Sequence, residues 1–254
     1  MLQIHQFPCL SDNYGFLVHE PQSGATAAID TPDADEILRQ AQAKGWRITD
    51  IWNTHWHPDH AGGNAALKAA TGARVTGPAE VERIGAAPDR IVAEGDVVKL
   101  GGAEARVLDV GGHTLGHIAY VFDAENTAFV GDALFALGCG RIFEGTAEQM
   151  WASLQKIAAL PDDATLYCAH EYTQSNARFA VAVDAGNETL AARAAEIDRL
   201  RAAGRPTVPM RLGVEKDTNP FLRAPLLKAS LGLAGAPDWQ AFAEVRKRKD
   251  TFKG

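Results

Sequence analysis

The stretch Thr54-His55-Trp56-His57-Pro58-Asp59-His60 constrains this chain more than any other feature. Three imidazoles and one carboxylate fall within six positions, directly after a β-rich run at Ile48–Asn53. Side chains two apart on extended backbone share a face, so His55 and His57 can converge on one point. Pro58 breaks the extended run, and Asp59 and His60 then turn toward a neighbouring point. Strands disfavour Asp and cores disfavour paired imidazoles, so the cluster has little structural rationale. It reads as a metal-binding segment that serves two adjacent ions.

Further ligand candidates stand at the ends of other β-rich runs. His113 follows the run 105–110 within Gly111-Gly112-His113-Thr114, Asp132 follows an apolar run within Val130-Gly131-Asp132, and His170 follows 165–169. Loops at strand ends are the usual place for site residues on a rigid scaffold. The donors are imidazole and carboxylate without sulfur, which suits Zn, Fe or Mn rather than a closed cysteine site. Zn²⁺ is the first choice. Seven ligands serve two metals if one carboxylate bridges, and Asp132 is the natural bridge. Asp59 and Asp132 are also the candidate catalytic carboxylates. His5, His19 and His117 are read as ordinary surface or core histidines.

The remaining pattern places these residues on a scaffold. Strands are expected at 2–7, 15–19, 25–29, 74–75, 97–100, 118–122 and 128–130, between Pro, Gly, Asn and Asp punctuation. A helix is expected after Thr31-Pro32, with Thr31 as its N-cap and Gly45 just past its end. Another is expected at 65–70. The last third turns helical, with helices at 187–204, capped by Asn187, and at 239–249, capped by Asp238. The expected boundary lies just after His170. That divides the chain into a catalytic domain, 1–170, and a mainly helical domain, 171–254.

A net charge of −7 argues against DNA, RNA or an anionic membrane as a default partner. Cys9, Cys139 and Cys168 are far apart and form no CxxC pair, so no disulfide framework and a reducing compartment are expected. The opening MLQIHQFPCL has neither a basic n-region nor a long apolar stretch. No apolar run approaches bilayer length. A cytoplasmic monomer is the expectation.

The cluster and its distant partners resemble the metallo-β-lactamase superfamily, whose signature is T-H-x-H-x-D-H followed by a distant His, Asp and His. The resemblance covers residues 1 to about 170 and implies an αββα sandwich, an α+β fold, with a helical C-terminal domain. It implies that His55, His57 and His113 hold a first metal. Asp59, His60 and His170 hold a second, and Asp132 bridges.

Further stretches are similar to glyoxalase II, the hydroxyacylglutathione hydrolases. They are Ser11-Asp12-Asn13-Tyr14, Leu137-Gly138-Cys139-Gly140-Arg141, His170-Glu171-Tyr172-Thr173, Asn219-Pro220-Phe221-Leu222-Arg223 and the tail 245–250. This resemblance implies glutathione contacts at Arg141, Phe143, Tyr172, Arg246 and Lys249. Some members carry Lys where this chain has Arg141, and Tyr where it has Phe143. The implied activity is hydrolysis of S-(2-hydroxyacyl)glutathione, typically S-D-lactoylglutathione, by a hydroxide between two metal ions. It yields glutathione and D-lactate, the second step of methylglyoxal detoxification. The alternatives are a single-iron persulfide dioxygenase of the same superfamily and a non-catalytic metal-binding protein. A lactamase or nuclease is disfavoured by the absent signal peptide and the acidic net charge.

Overall fold

Three antiparallel strands open the chain: β1 (Gln3–Cys9), β2 (Asn13–Glu20) and β3 (Ala25–Ile29). Beyond β3 the connections change from hairpins to crossovers. Helix α1 (Ala34–Lys44) returns the chain to β4 (Asp50–Trp52). The short α2 (Pro58–Ala61) and α3 (Asn64–Thr71) lead to β5 (Arg74–Gly77), and β6 (Arg90–Ile91) follows. Strands β3 to β6 pair in parallel, giving a six-stranded mixed sheet in the order β1-β2-β3-β4-β5-β6. The computed structural model describes residues 1–84 and 87–254. They form two compact units, residues 1–109 with 116–131, and residues 110–115 with 132–254.

The first unit adds an antiparallel array of β7 (Val97–Leu100), β8 (Ala103–Asp109), β9 (Ile118–Phe122) and β10 (Thr127–Gly131). β9 and β10 are buried along their whole length, which matches their largely apolar sequences. Aromatic rings fill the space between the two sheets. Trp52 packs against Tyr120 and Phe122, with centroids 5.3 and 5.9 Å away, and Phe16 meets Phe129 edge-on at 5.5 Å. On the other face of the mixed sheet, Ile37 and Ala41 of α1 and Leu67 of α3 pack with Leu17, Ile51 and Val75.

Helix α1 starts later than Thr31-Pro32 predicts. Asp33 is the N-cap, and its carboxylate accepts the Glu36 N–H at 3.1 Å. Thr31 is drawn away by tertiary bonds: its hydroxyl donates to the Asn64 Oδ1 at 2.8 Å in a fully buried setting. Gly45 ends the helix as expected, in the left-handed region at φ 69°.

The second unit begins with a tight hairpin, β11 (Leu134–Phe135) and β12 (Gly138–Cys139). Helix α4 (Ala147–Ala158) follows, and then β13 (Thr165–Cys168), which pairs with β14 (Met210–Arg211). Helices α5 (Thr173–Val183) and α6 (Glu188–Ala202) lie between those strands in sequence. Helices α7 (Leu212–Thr218), α8 (Ala224–Leu227) and α9 (Asp238–Thr251) complete the unit. An aromatic series runs Trp151, Phe242, Phe221, Phe179, with centroid spacings of 5.9, 6.1 and 6.0 Å. Asn187 caps α6 as its sequence predicts, accepting from Leu190 N. Asp238 does not cap α9. It sits in the first turn and pairs with Lys228 at 2.5 Å, while Pro237 occupies the cap position. No helix among the described residues is long and apolar enough to cross a membrane.

Trp52 is 1% exposed and fills the space between the sheets. Trp52→Ala is expected to lower the unfolding free energy by about 3–5 kcal/mol, measured by equilibrium urea denaturation.

Candidate metal centre

In the first unit the chain leaves β3 through Asp30, whose φ of 58° lies in the left-handed region. That backbone turns a buried carboxylate back onto the end of β4. Asp30 Oδ1 accepts the Thr54 N–H at 2.7 Å, and Oδ2 accepts the Thr54 hydroxyl at 2.8 Å. The same Oδ2 accepts from His60 Nδ1 at 2.8 Å. The Thr54 hydroxyl has spent its proton on Asp30, so it accepts from His55 Nδ1, 3.0 Å away. One carboxylate thereby fixes two tautomers: His55 and His60 both carry Nδ1–H and present Nε2 as the Lewis base.

Pro58 starts α2 and ends the extended segment after His57, as its missing N–H requires. The His60 carbonyl is held by Thr31 N at 2.7 Å and Asn53 Nδ2 at 3.0 Å. Asn13 Nδ2 donates to Asp59 Oδ2 at 3.1 Å, and that oxygen lies 3.6 Å from His60 Nε2. His55 Nε2 and His57 Nδ1 are 3.0 Å apart. His117, read from sequence as an ordinary histidine, is fully buried and stacks on His55 at 4.5 Å. Gly131 carries the close approach here: its φ is 49°, and a Cβ would lie 2.7 Å from the Thr54 hydroxyl and 2.8 Å from the His117 ring.

The second unit holds His113, Asp132 and His170, all buried. His113 Nδ1–H donates to the Arg141 carbonyl at 2.7 Å, so its Nε2 is again the basic nitrogen. Asp132 spans the two imidazoles. Its Oδ2 lies 3.3 Å from His113 Nε2, and its Oδ1 lies 3.3 Å from His170 Nε2. The close packing needs Gly140, where a Cβ would stand 2.1 Å from the Asp132 carbonyl oxygen.

The other candidates also lie in this unit. Tyr172 is half-exposed and stacks on the His170 ring at 4.7 Å and 3°. Phe143 is exposed, with its ring 5.2 Å from that of His113. Arg141 is exposed. Lys249 donates to the Ser175 carbonyl at 3.1 Å and lies over the Phe179 ring. Desolvation, aided by the charges of Arg246, Arg178 and Arg141, lowers its pKa to about 8. Arg178 is thus a cation of this patch that the sequence pattern did not single out. Arg246 is buried: it donates to the Cys139 carbonyl at 3.0 Å and pairs with Asp250 at 2.8 Å.

Cysteine chemistry has no footing here. Burial pushes the Cys9 and Cys168 thiols up to about 12 and Cys139 to about 11, so none is a thiolate near neutrality. The donor set instead suits divalent metal. Imidazole nitrogens and carboxylate oxygens are gathered in each unit, and the outer nitrogens of His55, His60 and His113 are tied to the Thr54 hydroxyl, the Asp30 carboxylate and the Arg141 carbonyl, as is usual for metal-ligating histidines.

Residues 21–170 match the metallo-beta-lactamase superfamily. The αββα metallo-β-lactamase fold with a C-terminal helical region is therefore the class of this chain. Residues 171–252 match the hydroxyacylglutathione hydrolase C-terminus. A hydroxyacylglutathione hydrolase of Erythrobacter litoralis is 58% identical over 254 residues, covering 99% of this chain and 100% of that protein. One of Hyphomonas neptunium is 57% identical, covering 99% of each. The chain belongs to the hydroxyacylglutathione hydrolases. Among solved structures, ETHE1 from Myxococcus xanthus shares the fold with a TM-score of 0.68 and 24% identity, covering 99% of this chain and 90% of that one.

Asp30→Asn leaves the side-chain shape and removes the charge that orients His55 and His60. Metal affinity is expected to fall roughly 10–100-fold, read by chelator competition. Unchanged affinity refutes the orienting role.

Proposed function

We propose that the chain hydrolyses S-(2-hydroxyacyl)glutathione thioesters at a site with two divalent metal ions. The observation that carries this reading is the pair of donor groups, one in each unit, in a chain whose C-terminal region matches the hydroxyacylglutathione hydrolases. In this proposal His55, His57 and His113 hold one ion. Asp59, His60 and His170 would hold the other, and Asp132 would be shared between the two. Zn²⁺ is preferred, and Fe and Mn fit the same donors. Bound divalent ions supply Lewis acidity, activating water as a nucleophile at neutral pH and polarising a carbonyl.

The protein's own groups do the rest. Asp30 and Thr54 hold the imidazoles in the tautomer a cation needs. Water adds to the thioester carbonyl and gives up its two protons to solvent, the C–S bond breaks with its electron pair on sulfur, and the products are a carboxylate and glutathione thiolate. A thiol of pKa near ~8.5 leaves as its anion without a dedicated acid. Residues 171–254 are proposed as the glutathione-binding domain. Glutathione is a net anion when S-acylated, and Arg141, Arg178 and Lys249 supply cations for its carboxylates. Tyr172 and Phe143 offer exposed rings beside His170 and His113 for the rest of the substrate. Arg246 serves this site from behind, since its donors are bonded to Cys139 and Asp250.

The match at residues 171–252 favours the hydrolase over the persulfide dioxygenase. The deciding experiment follows S-D-lactoylglutathione cleavage by purified protein, with metal content measured on the same sample. Thioester cleavage with two ions per chain is expected. One iron per chain with oxygen consumption reverses the assignment. His57→Ala is expected to abolish turnover through loss of a ligand.

Lys249 gives a pH signature. It is charged below a pKa of about 8 and neutral above it. KM is expected to rise as pH passes about 8, and Lys249→Arg to flatten that rise. Lys249→Ala is expected to raise KM about tenfold at pH 7 with a smaller change in kcat. Steady-state kinetics across pH 6.5–9.5, a range of about three units around that pKa, checks all three.

A further inference from the structure

The β11–β12 hairpin, Leu134–Cys139, joins Asp132 to Arg141, and side chains from the C-terminal helices hold its backbone throughout. Asn219 Nδ2 donates to the Phe135 carbonyl at 3.1 Å and the Gly138 carbonyl at 3.0 Å. Asn176 Nδ2, from α5, donates to the Ala136 carbonyl at 3.1 Å. Arg246, from α9, donates to the Cys139 carbonyl at 3.0 Å. The Leu137 N–H donates to Glu215 Oε2 at 2.9 Å. Leu137 itself has a φ of 56°, a left-handed conformation that a leucine adopts only where its surroundings impose it.

The clamp is buried and satisfied within itself. Asn219 Nδ2 also bonds Glu215 Oε2 at 3.1 Å, and its Oδ1 accepts from Phe221 N at 3.0 Å. Glu215 is fully buried and pairs with Arg193, which in turn donates to the Thr218 hydroxyl at 2.5 Å. A buried carboxylate and amide arranged this way cost much more to disrupt than surface bonds do. The hairpin they hold also supports the site. The Phe135 ring packs edge-on against His170 at 5.9 Å and Tyr172 at 5.4 Å.

We propose that Asn219 and Glu215 are positioning residues for the metal ligands Asp132 and His170, acting through the Leu134–Cys139 hairpin. Resting on the reading above, this means that the C-terminal region sets the geometry of the reacting end as well as binding the substrate. The hairpin cannot hold its own shape. Its two-residue strands leave carbonyls and the Leu137 N–H to be satisfied by side chains of Asn176, Glu215, Asn219 and Arg246.

The test compares Asn219→Ala, Glu215→Gln and Arg223→Ala with the parent full-length enzyme. Arg223 lies in the same Asn219–Arg223 stretch but pairs with Asp184 at 2.8 Å, away from the hairpin. Its variant reports the stability cost of loosening this region alone. Zn²⁺ retention against a chelator, thermal midpoint and kcat and KM for the thioester are measured on each. Asn219→Ala and Glu215→Gln are expected to lose Zn²⁺ affinity about tenfold or more, with kcat falling more than KM rises. Arg223→Ala is expected to lose thermal midpoint only. Parent-like metal retention and kcat in the folded Asn219 and Glu215 variants overturns the proposal. If Asn219→Ala does not fold, Glu215→Gln decides it alone, and if neither folds, Asn176→Ala takes their place with the same two outcomes. A parent enzyme inactive on the thioester sinks the proposed reaction, while the metal-retention comparison still decides this inference.

Discussion

The carboxylate of Asp30 is the interaction on which the first donor group depends. A single buried side chain satisfies the Thr54 N–H and hydroxyl and His60 Nδ1 together. Through the Thr54 hydroxyl it also sets His55. Such a charge is costly to bury without partners, and here each partner is part of the site it organises. The left-handed backbone at Asp30 is the local strain that aims the carboxylate, and three charge-assisted hydrogen bonds offset it.

The second donor group rests on a different device. His113 is oriented by a backbone carbonyl, that of Arg141, and Asp132 lies between two imidazoles with one oxygen toward each. The stretch from Asp132 to Arg141 is short and irregular. Helices α5 and α9, and Asn219 at the C-terminal cap of α7, provide its hydrogen bonds through side chains that lie 40 to more than 100 residues further along. Segments that follow the metallo-β-lactamase region in sequence therefore hold the backbone of the stretch that follows Asp132.

Local signals were legible where they depended on neighbours in sequence. The strands at 25–29 and 118–122 fall where their β-branched and apolar runs predict, and Asn187 caps α6. Thr31 and Asp238 misled for one reason. A Thr or Asp before a helical run has cap chemistry, but in this fold Asn64 and Lys228 compete for those side chains, and Asp33 and Pro237 take the cap positions. Asp30 went unread although it too ends a strand, because a lone Asp before Thr-Pro looks like turn punctuation. Arg178 was also missed, since it acquires meaning only from the residues that packing brings beside it.

By itself the sequence determined the chemistry on offer. Imidazoles and carboxylates concentrated at strand ends define a metal-binding chain because ligand type and spacing are covalent facts. The sequence also carried its family, through motifs along its length. Tertiary structure alone decided which nitrogen each histidine presents, which cation is partly desolvated and what holds the hairpin after Asp132. Those properties belong to hydrogen bonds and burial between residues far apart in the chain, and no local pattern encodes them.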